Sequence, residues 1–327
     1  MLSRILKIGI LAWITIIAAN GQQTPIYSQY MFNTFLINPA AAGSEGLTTV
    51  NLTSREQWLG IPNSPTTNSI SIQTRVLKNS FIAKALSLRK KFSKRSRSGR
   101  VGLGAYIYND HFGGINRTGM QGTYGYHIQM RQSQLSFGLT MMGQFMNIDR
   151  NVIQYLQSTG DLLVMNNNLN KFFVDANFGA QFTTPFLTSG FSVTDLAQSS
   201  LTLTENGSKV DQTLRTYNLI GAYKFEINRF IMIEPSTWIK FTKDAFQMDL
   251  SSRVYYKEDY WTGLSYRTGQ GGAIIFMLGM RVNKLYFGYA FDYTLNDIQA
   301  YTLGSHEFMI SMKFGENARR YRWLNRY

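Results

Sequence analysis

From about residue 47 to residue 315 the apolar side chains of this chain recur at every second position, a period that specifies strands rather than helices. In the last segment Phe308, Ile310, Met312 and Phe314 share one face, while Glu307, Ser311 and Lys313 share the other. Phe246, Met248, Leu250, Ser252, Val254 and Tyr256 alternate with Gln247, Asp249, Ser251, Arg253 and Tyr255. Leu285, Phe287, Tyr289, Phe291 and Tyr293 alternate with Tyr286, Gly288, Ala290, Asp292 and Thr294, and Ile70, Ile72 and Val76 with Ser69, Ser71, Gln73 and Arg75. Fourteen such segments are expected, near 47–58, 66–78, 99–109, 118–131, 133–147, 171–184, 186–196, 211–226, 229–241, 244–256, 259–268, 272–282, 284–294 and 304–315.

The connections between them alternate in length. Short ones fall at 131–133, 184–185, 227–228, 257–258 and 283; longer ones fall at 59–65, 110–117, 148–170, 197–210 and 295–303. Tight turns at one end and long loops at the other mark an all-β, transmembrane antiparallel barrel of about 14 strands. A soluble sandwich has no reason for that asymmetry, and its outward faces would be rich in Lys and Glu. Here the polar faces hold Gln, Ser, Thr, Asn and Gly, as a lumen would. Trp58, Tyr106, Tyr217, Trp238, Tyr256 and Trp261 lie near segment ends, where an interfacial girdle is expected. Only 16% of the residues are charged and 14% are aromatic, yet mean hydropathy is −0.17. Averaging a lipid-facing row with a polar row gives such a value. Beyond residue 23 no run approaches the 18 or so apolar residues of a helical span.

Residues 1–21 read as a secretory signal peptide: Arg4 and Lys7 precede the short apolar run Ile8 to Ala18, and Ala19-Asn20-Gly21 supplies a cleavage site. Residues 22–46 form a pre-barrel segment with neither a strand nor a helix pattern. Its aromatic content favours packing in or under the lumen, as a plug or a periplasmic segment; a flexible arm is the other reading. Residues 47–315 are the outer-membrane barrel and 316–327 a basic periplasmic tail with Arg319, Arg320, Arg322 and Arg326. Lys78, Lys84, Arg89, Lys90, Lys91, Lys94, Arg95, Arg97 and Arg100 crowd one connection without a single acid between them. A barrel that starts inside places this connection and the tail on the same side. So most of the formal charge of +14 faces the periplasm. The connection either contacts an acidic periplasmic partner or is simply solvated. A short helix is expected within 149–165.

Several chemistries are excluded. The chain has no Cys, hence no disulfide framework, thiolate nucleophile, Cys-ligated zinc or iron–sulfur cluster. Its three histidines, His111, His127 and His306, lack metal-ligand spacing. Ser305-His306-Glu307 cannot act as a relay, because neighbouring strand residues point to opposite faces. Gly99, Gly102 and Gly104 lack the third glycine and following helix of a dinucleotide loop. An exported barrel meets no nucleic acid, and Phe81 and Phe92 are too sparse for base stacking. No catalytic residue, cofactor or metal is therefore expected, and an outer-membrane hydrolase is the weakest functional reading.

Gln29-Tyr30-Met31-Phe32-Asn33 followed by Asn38-Pro39-Ala40-Ala41-Ala42-Gly43 resembles the mature start of PorP/SprF-type proteins, outer-membrane components of type IX secretion and gliding systems. The resemblance continues through Arg55-Glu56-Gln57-Trp58-Leu59-Gly60, Pro65-Thr66-Thr67, Glu234-Pro235-Ser236 and Gln247-Met248-Asp249-Leu250. It is completed by Trp261-Thr262-Gly263-Leu264-Ser265-Tyr266-Arg267, Gly288-Tyr289-Ala290-Phe291-Asp292-Tyr293 and Gly304-Ser305-His306-Glu307. The basic insertion at 78–100 and the arginine-rich tail depart from the family pattern.

The resemblance implies a non-enzymatic, multi-pass β-barrel in the outer membrane of a Gram-negative bacterium. It would support secretion or surface attachment of a cargo or adhesin with a type IX sorting domain, in contact with the bilayer and with periplasmic ring lipoproteins. Gln29, Tyr30, Asn33, Asn38, Pro39, Arg55, Trp58, Arg267 and Glu307 are then architectural or docking candidates, joined by Arg89, Lys90, Lys91, Arg95 and Arg97 of the basic connection. The alternative is a diffusion porin or small-molecule transporter, since fourteen strands leave a channel unless something fills it.

Overall fold

The computed structural model describes residues 26–76, 100–148, 170–198, 200–202, 209–212, 214–243, 245–269 and 272–314. Fourteen long strands are β1 Thr48–Glu56, β2 Thr66–Val76, β3 Val101–Phe112, β4 Ile115–Gln129, β5 Gln134–Ile148, β6 Asn170–Thr183 and β7 Leu187–Thr194, then β8 Thr216–Tyr223, β9 Ile231–Phe241, β10 Phe246–Tyr256, β11 Tyr260–Thr268, β12 Ala273–Val282, β13 Leu285–Thr294 and β14 Ser305–Phe314. Each pairs antiparallel with its sequence neighbour, and β14 pairs with β1 from Thr48↔Phe314 to Glu56↔His306, which closes the barrel. A two-residue strand at Phe225–Glu226 prolongs β8, and a small hairpin joins 200–202 to 209–212. Among the described residues no helix is long and apolar enough to cross a membrane; the strands do so.

The side-chain rows explain the closure. Leu52, Ile70, Ile107, Leu250, Leu264, Leu278 and Phe308 stand exposed on the outer face, while Asn51, Ser71, Asp249, Ser265 and Asp292 are buried on the inner one. Apolar-out and polar-in inverts a soluble protein and suits a wall between lipid and lumen. All four alternating segments singled out in the sequence take these faces.

Two expectations change. The connection expected at 110–117 is a two-residue hairpin turn at Gly113–Gly114, with Phe112 opposite Ile115 and Gly113 at φ +57°. Strands β3 and β4 continue to it because their polar ends, including Asn109, Asn116 and Thr118, pair with one another outside the apolar belt. Polarity there marks the end of the lipid, not the end of the strand. Three of the six aromatics expected in the girdle, Tyr106, Trp238 and Trp261, are buried on the inner face instead. Each shares strand parity with lumen residues, as Trp238 does with Glu234 and Ser236. Tyr256 is exposed, and Trp58 and Tyr217 are half-buried. The signal segment, residues 78–99 of the basic connection, the helix expected in 149–165 and the tail 316–327 lie outside the described residues.

The wall is uneven in height. Strands β4 and β5 have 15 residues each, whereas β7 and β8 have 8 each. A span needs about 9–11 residues. The tall side therefore projects beyond the belt at the end that carries the 57–65, 195–215 and 295–304 connections.

Candidate functional site

Inside the barrel the functional geometry is built around residues 26–46. Asn and Pro break this stretch into three 3₁₀ turns, Tyr30–Phe32, Thr34–Leu36 and Pro39–Ala41. The third is capped where Asn38 Oδ1 accepts the Ala40 N–H, with Pro39, which has no N–H to satisfy, at its first position. Ile26 to Tyr30, Asn33, Phe35 and Ile37 to Ala42 are all buried.

One end of the segment meets a cluster of buried charge. The Ser28 and Gln29 N–H groups donate to the two oxygens of Glu307 at 2.7 and 3.0 Å. Ser28 Oγ donates to Asp292 at 2.6 Å and accepts from Arg55 Nη1 at 2.6 Å. Arg55 also pairs with Asp292 at 2.7 Å and Glu307 at 3.3 Å. Arg267 pairs with Asp249 at 2.9 Å and reaches Asp292 at 3.4 Å. Ions this deep are tolerable only when paired and hydrogen-bonded, and here five charged side chains pair with one another around one serine. Beside them Arg253 pairs with Glu234 at 2.7 Å and lies 4.6 Å from the centre of the Phe32 ring, which packs on Trp261.

Mid-segment contacts mix hydroxyls and aromatics. Asn33 Nδ2 donates to Ser71 Oγ at 2.8 Å, the Tyr27 and Tyr106 hydroxyls lie 2.7 Å apart, and Tyr30 packs on Trp238. Burial pushes the Tyr27 phenol up to about 12, against the pull of its hydrogen bonds, so it stays neutral.

The other end is held by shape. Asn38 Nδ2 donates to the Ala180 carbonyl at 3.1 Å, and Ser192 Oγ to the Ile37 carbonyl at 2.7 Å. The Ala42 carbonyl accepts from His127 Nε2 at 3.0 Å, which leaves Nδ1 to accept from Ser136. Gly138 and Gly179 are glycine of necessity: a Cβ on either would run into Pro39 or Asn38, and one on Gly102 would strike the Ala42 carbonyl. From the β13–β14 clamp to these β6–β7 contacts is half the circumference of the strand order, so the segment crosses the lumen.

Eight of the residues singled out in the sequence thus come together: Gln29, Tyr30, Asn33, Asn38 and Pro39 lie in this segment, Arg55 and Glu307 bond to it, and Arg267 joins the same charge cluster through Asp292. Trp58 does not. It sits at the rim with φ +53°, its N–H donating to Ser305 Oγ, where Leu59 and Leu303–Gly304 stitch two loops together. Arg89, Lys90, Lys91, Arg95 and Arg97 lie outside the described residues. No sequence pattern singles out Asp292, Asp249, His127 or the glycine bed as site residues, although Asp292 and Asp249 stand within the motifs at 288–293 and 247–250. As expected, Ser305 and Glu307 face inward and His306 outward, against Tyr289.

Between the segment and the long-loop end a cavity remains, lined by Tyr108, Gln121, Gln144, Asn177 and Trp238 among others. At its edge burial, and after it the Asp175 carboxylate, raise Asp195 to about 6.

A family model described as "Type IX secretion system membrane protein PorP/SprF" matches residues 19–312. Among solved structures the chain is similar to the Acinetobacter baumannii outer membrane protein Omp33, at 8% identity over 83% of this chain and 99% of that one, TM-score 0.44. It is also similar to a deltaS2 mutant of the TodX monoaromatic hydrocarbon channel, at 10% identity over 86% and 92% of the two chains, TM-score 0.46. No curated protein matches the sequence.

Proposed function

The chain belongs to the PorP/SprF family of type IX secretion system membrane proteins, and from that membership we propose that this outer-membrane barrel serves secretion as a closed docking element rather than as a conduit. Its role is non-enzymatic: it holds a secreted cargo or adhesin carrying a type IX sorting domain at the surface, and it contacts ring lipoproteins on the periplasmic side. The observation that carries the reading is the N-terminal segment, which crosses the lumen and is bonded to opposite walls. A barrel of this size left empty would conduct. With its short turns in the periplasm and its long loops outside, the chain presents the 77–100 connection and its cations to the periplasmic partners.

Planar-bilayer recording tests the closed state against the porin alternative. The purified protein is expected to give no steady open level, whereas a variant lacking residues 26–46 conducts as a wide pore. A steady open level from the intact protein would overturn the proposal in favour of a porin.

A further inference from the structure

We propose that the cavity above the N-terminal segment is a binding pocket for an uncharged, polar stretch of polypeptide presented by the secreted partner. This rests on the docking role argued above and names the place and the chemistry of that docking.

Three buried polar atoms among the residues that line the cavity have no hydrogen-bond partner among the described residues: Gln29 Oε1, Asn33 Oδ1 and the Tyr108 hydroxyl. An unsatisfied polar group of this kind carries its full desolvation penalty until a ligand pairs with it. Two of these atoms can only accept and the third can donate, the complement of the N–H and C=O groups that alternate along an extended chain. Gln121, Gln144, Asn177 and Asn218 add side-chain amides to the lining. Such groups match peptide units.

The aromatic lining argues against a sugar ring. Tyr106 and Tyr108 are stacked on each other with centroids 5.3 Å apart, and Trp238 packs on Tyr30 at 5.1 Å while its Nε1 donates to Asn218. One face of each tyrosine is thus taken by the other, and the Trp238 N–H edge is spent on Asn218, which reduces the platform a saccharide would use. Charge points to a neutral occupant. Glu307 is consumed by the Arg55 clamp, and Asp195 and Lys240 are opposite in sign.

Position supplies the way in. Strands β3 to β6 carry Tyr108, Gln121, Gln144 and Asn177 along one side of the pocket, and Thr194, Asp195 and Thr216, where the 195–215 connection leaves β7 and rejoins β8, border it on another. The pocket thus lies at the long-loop end of the barrel, the end at which a loop or terminus of a secreted partner arrives.

Because the chain has no cysteine, Gln144→Cys creates a single thiol in the pocket. In cells of the source organism, surface proteins are first compared with and without the barrel gene to identify the cargo it supports. Labelling of Gln144→Cys by a membrane-impermeant maleimide is then followed in cells that carry or lack that cargo. Labelling at least fivefold slower with cargo present is the expected result, together with a tenfold loss of surface cargo in Gln121→Trp. Heat-modifiable migration on gels reports whether Gln121→Trp folds; if it does not, the labelling rates alone decide. Equal labelling rates, or protection by maltoheptaose rather than by cargo, overturn the inference and leave the docking role standing. A barrel deletion that changes no surface protein overturns both.

Discussion

Where residues 28–29 meet the wall, the shortest hydrogen bonds pass through charged or hydroxyl groups, with Arg55, Asp292 and Glu307 closing around Ser28. Where residues 38–42 meet it, the wall offers glycines, a carbonyl and one neutral histidine. The same segment is thus secured in two ways that fail differently. A charge clamp fixes register, but it has desolvated several ions that depend on one another. A glycine bed carries no such liability; it is sensitive to volume, because backbone pressed against backbone cannot yield.

The largest effect should come from breaking the clamp on one side only. Arg55→Met leaves Glu307 without a salt-bridge partner and Asp292 with Arg267 alone, and should cost about 3–5 kcal/mol, the usual penalty for orphaning a buried charge. Urea titration of the folded, heat-modifiable gel band measures it. The triple variant Arg55→Met, Asp292→Asn, Glu307→Gln should recover much of the loss, since neutral groups of similar shape cost less than an unpaired ion. If the triple variant is no more stable than the single one, charge is not what holds this end.

Next in size is the bed. Gly138→Ala places a Cβ against the Pro39 backbone and should cost about 1–3 kcal/mol, as overpacking does. Gly122→Ala, with nothing within 4 Å of its added carbon, should be silent. The comparison sharpens when the segment is removed: without residues 26–46 the Gly138→Ala penalty should vanish, because its collision partner has gone. A penalty that persists would assign Gly138 to the strand rather than to the segment.

These two ends were not equally legible in the sequence. Alternation revealed the strands because lipid and lumen impose opposite demands on neighbouring residues, and Phe308 beside Glu307 states both. The charge clamp was half visible: Arg55, Arg267 and Glu307 stood out, yet nothing local links Arg55 to Asp292, 237 positions away, until β14 closes on β1. The glycine bed was invisible, since a glycine in a strand reads as weakness unless one knows what lies against it. Nearness to strand ends points Trp238 and Trp261 to the lipid interface. Their parity with Glu234 and Arg267 was the signal that they face the lumen.

The smallest effect isolates what burial contributes to the clamp. At the mouth of the barrel Lys313 pairs with Glu45 at 2.8 Å, as close as Arg55 lies to Asp292, but its partner's side chain is 49% exposed against 2% for Asp292. Water already solvates the outer pair, and holding two long side chains together costs entropy, so its net worth is about 0–1 kcal/mol. Lys313→Ala should therefore shift the urea midpoint by little, and raising the salt should erase the shift, since exposed charges are screened within about 10 Å at 0.1 M. The Arg55→Met penalty should survive the same salt, because no ion reaches the lumen cluster. A Lys313→Ala loss as large as that of Arg55→Met would mean that distance rather than burial sets the strength of these pairs, and the contrast between the two ends of the segment would lose its physical basis.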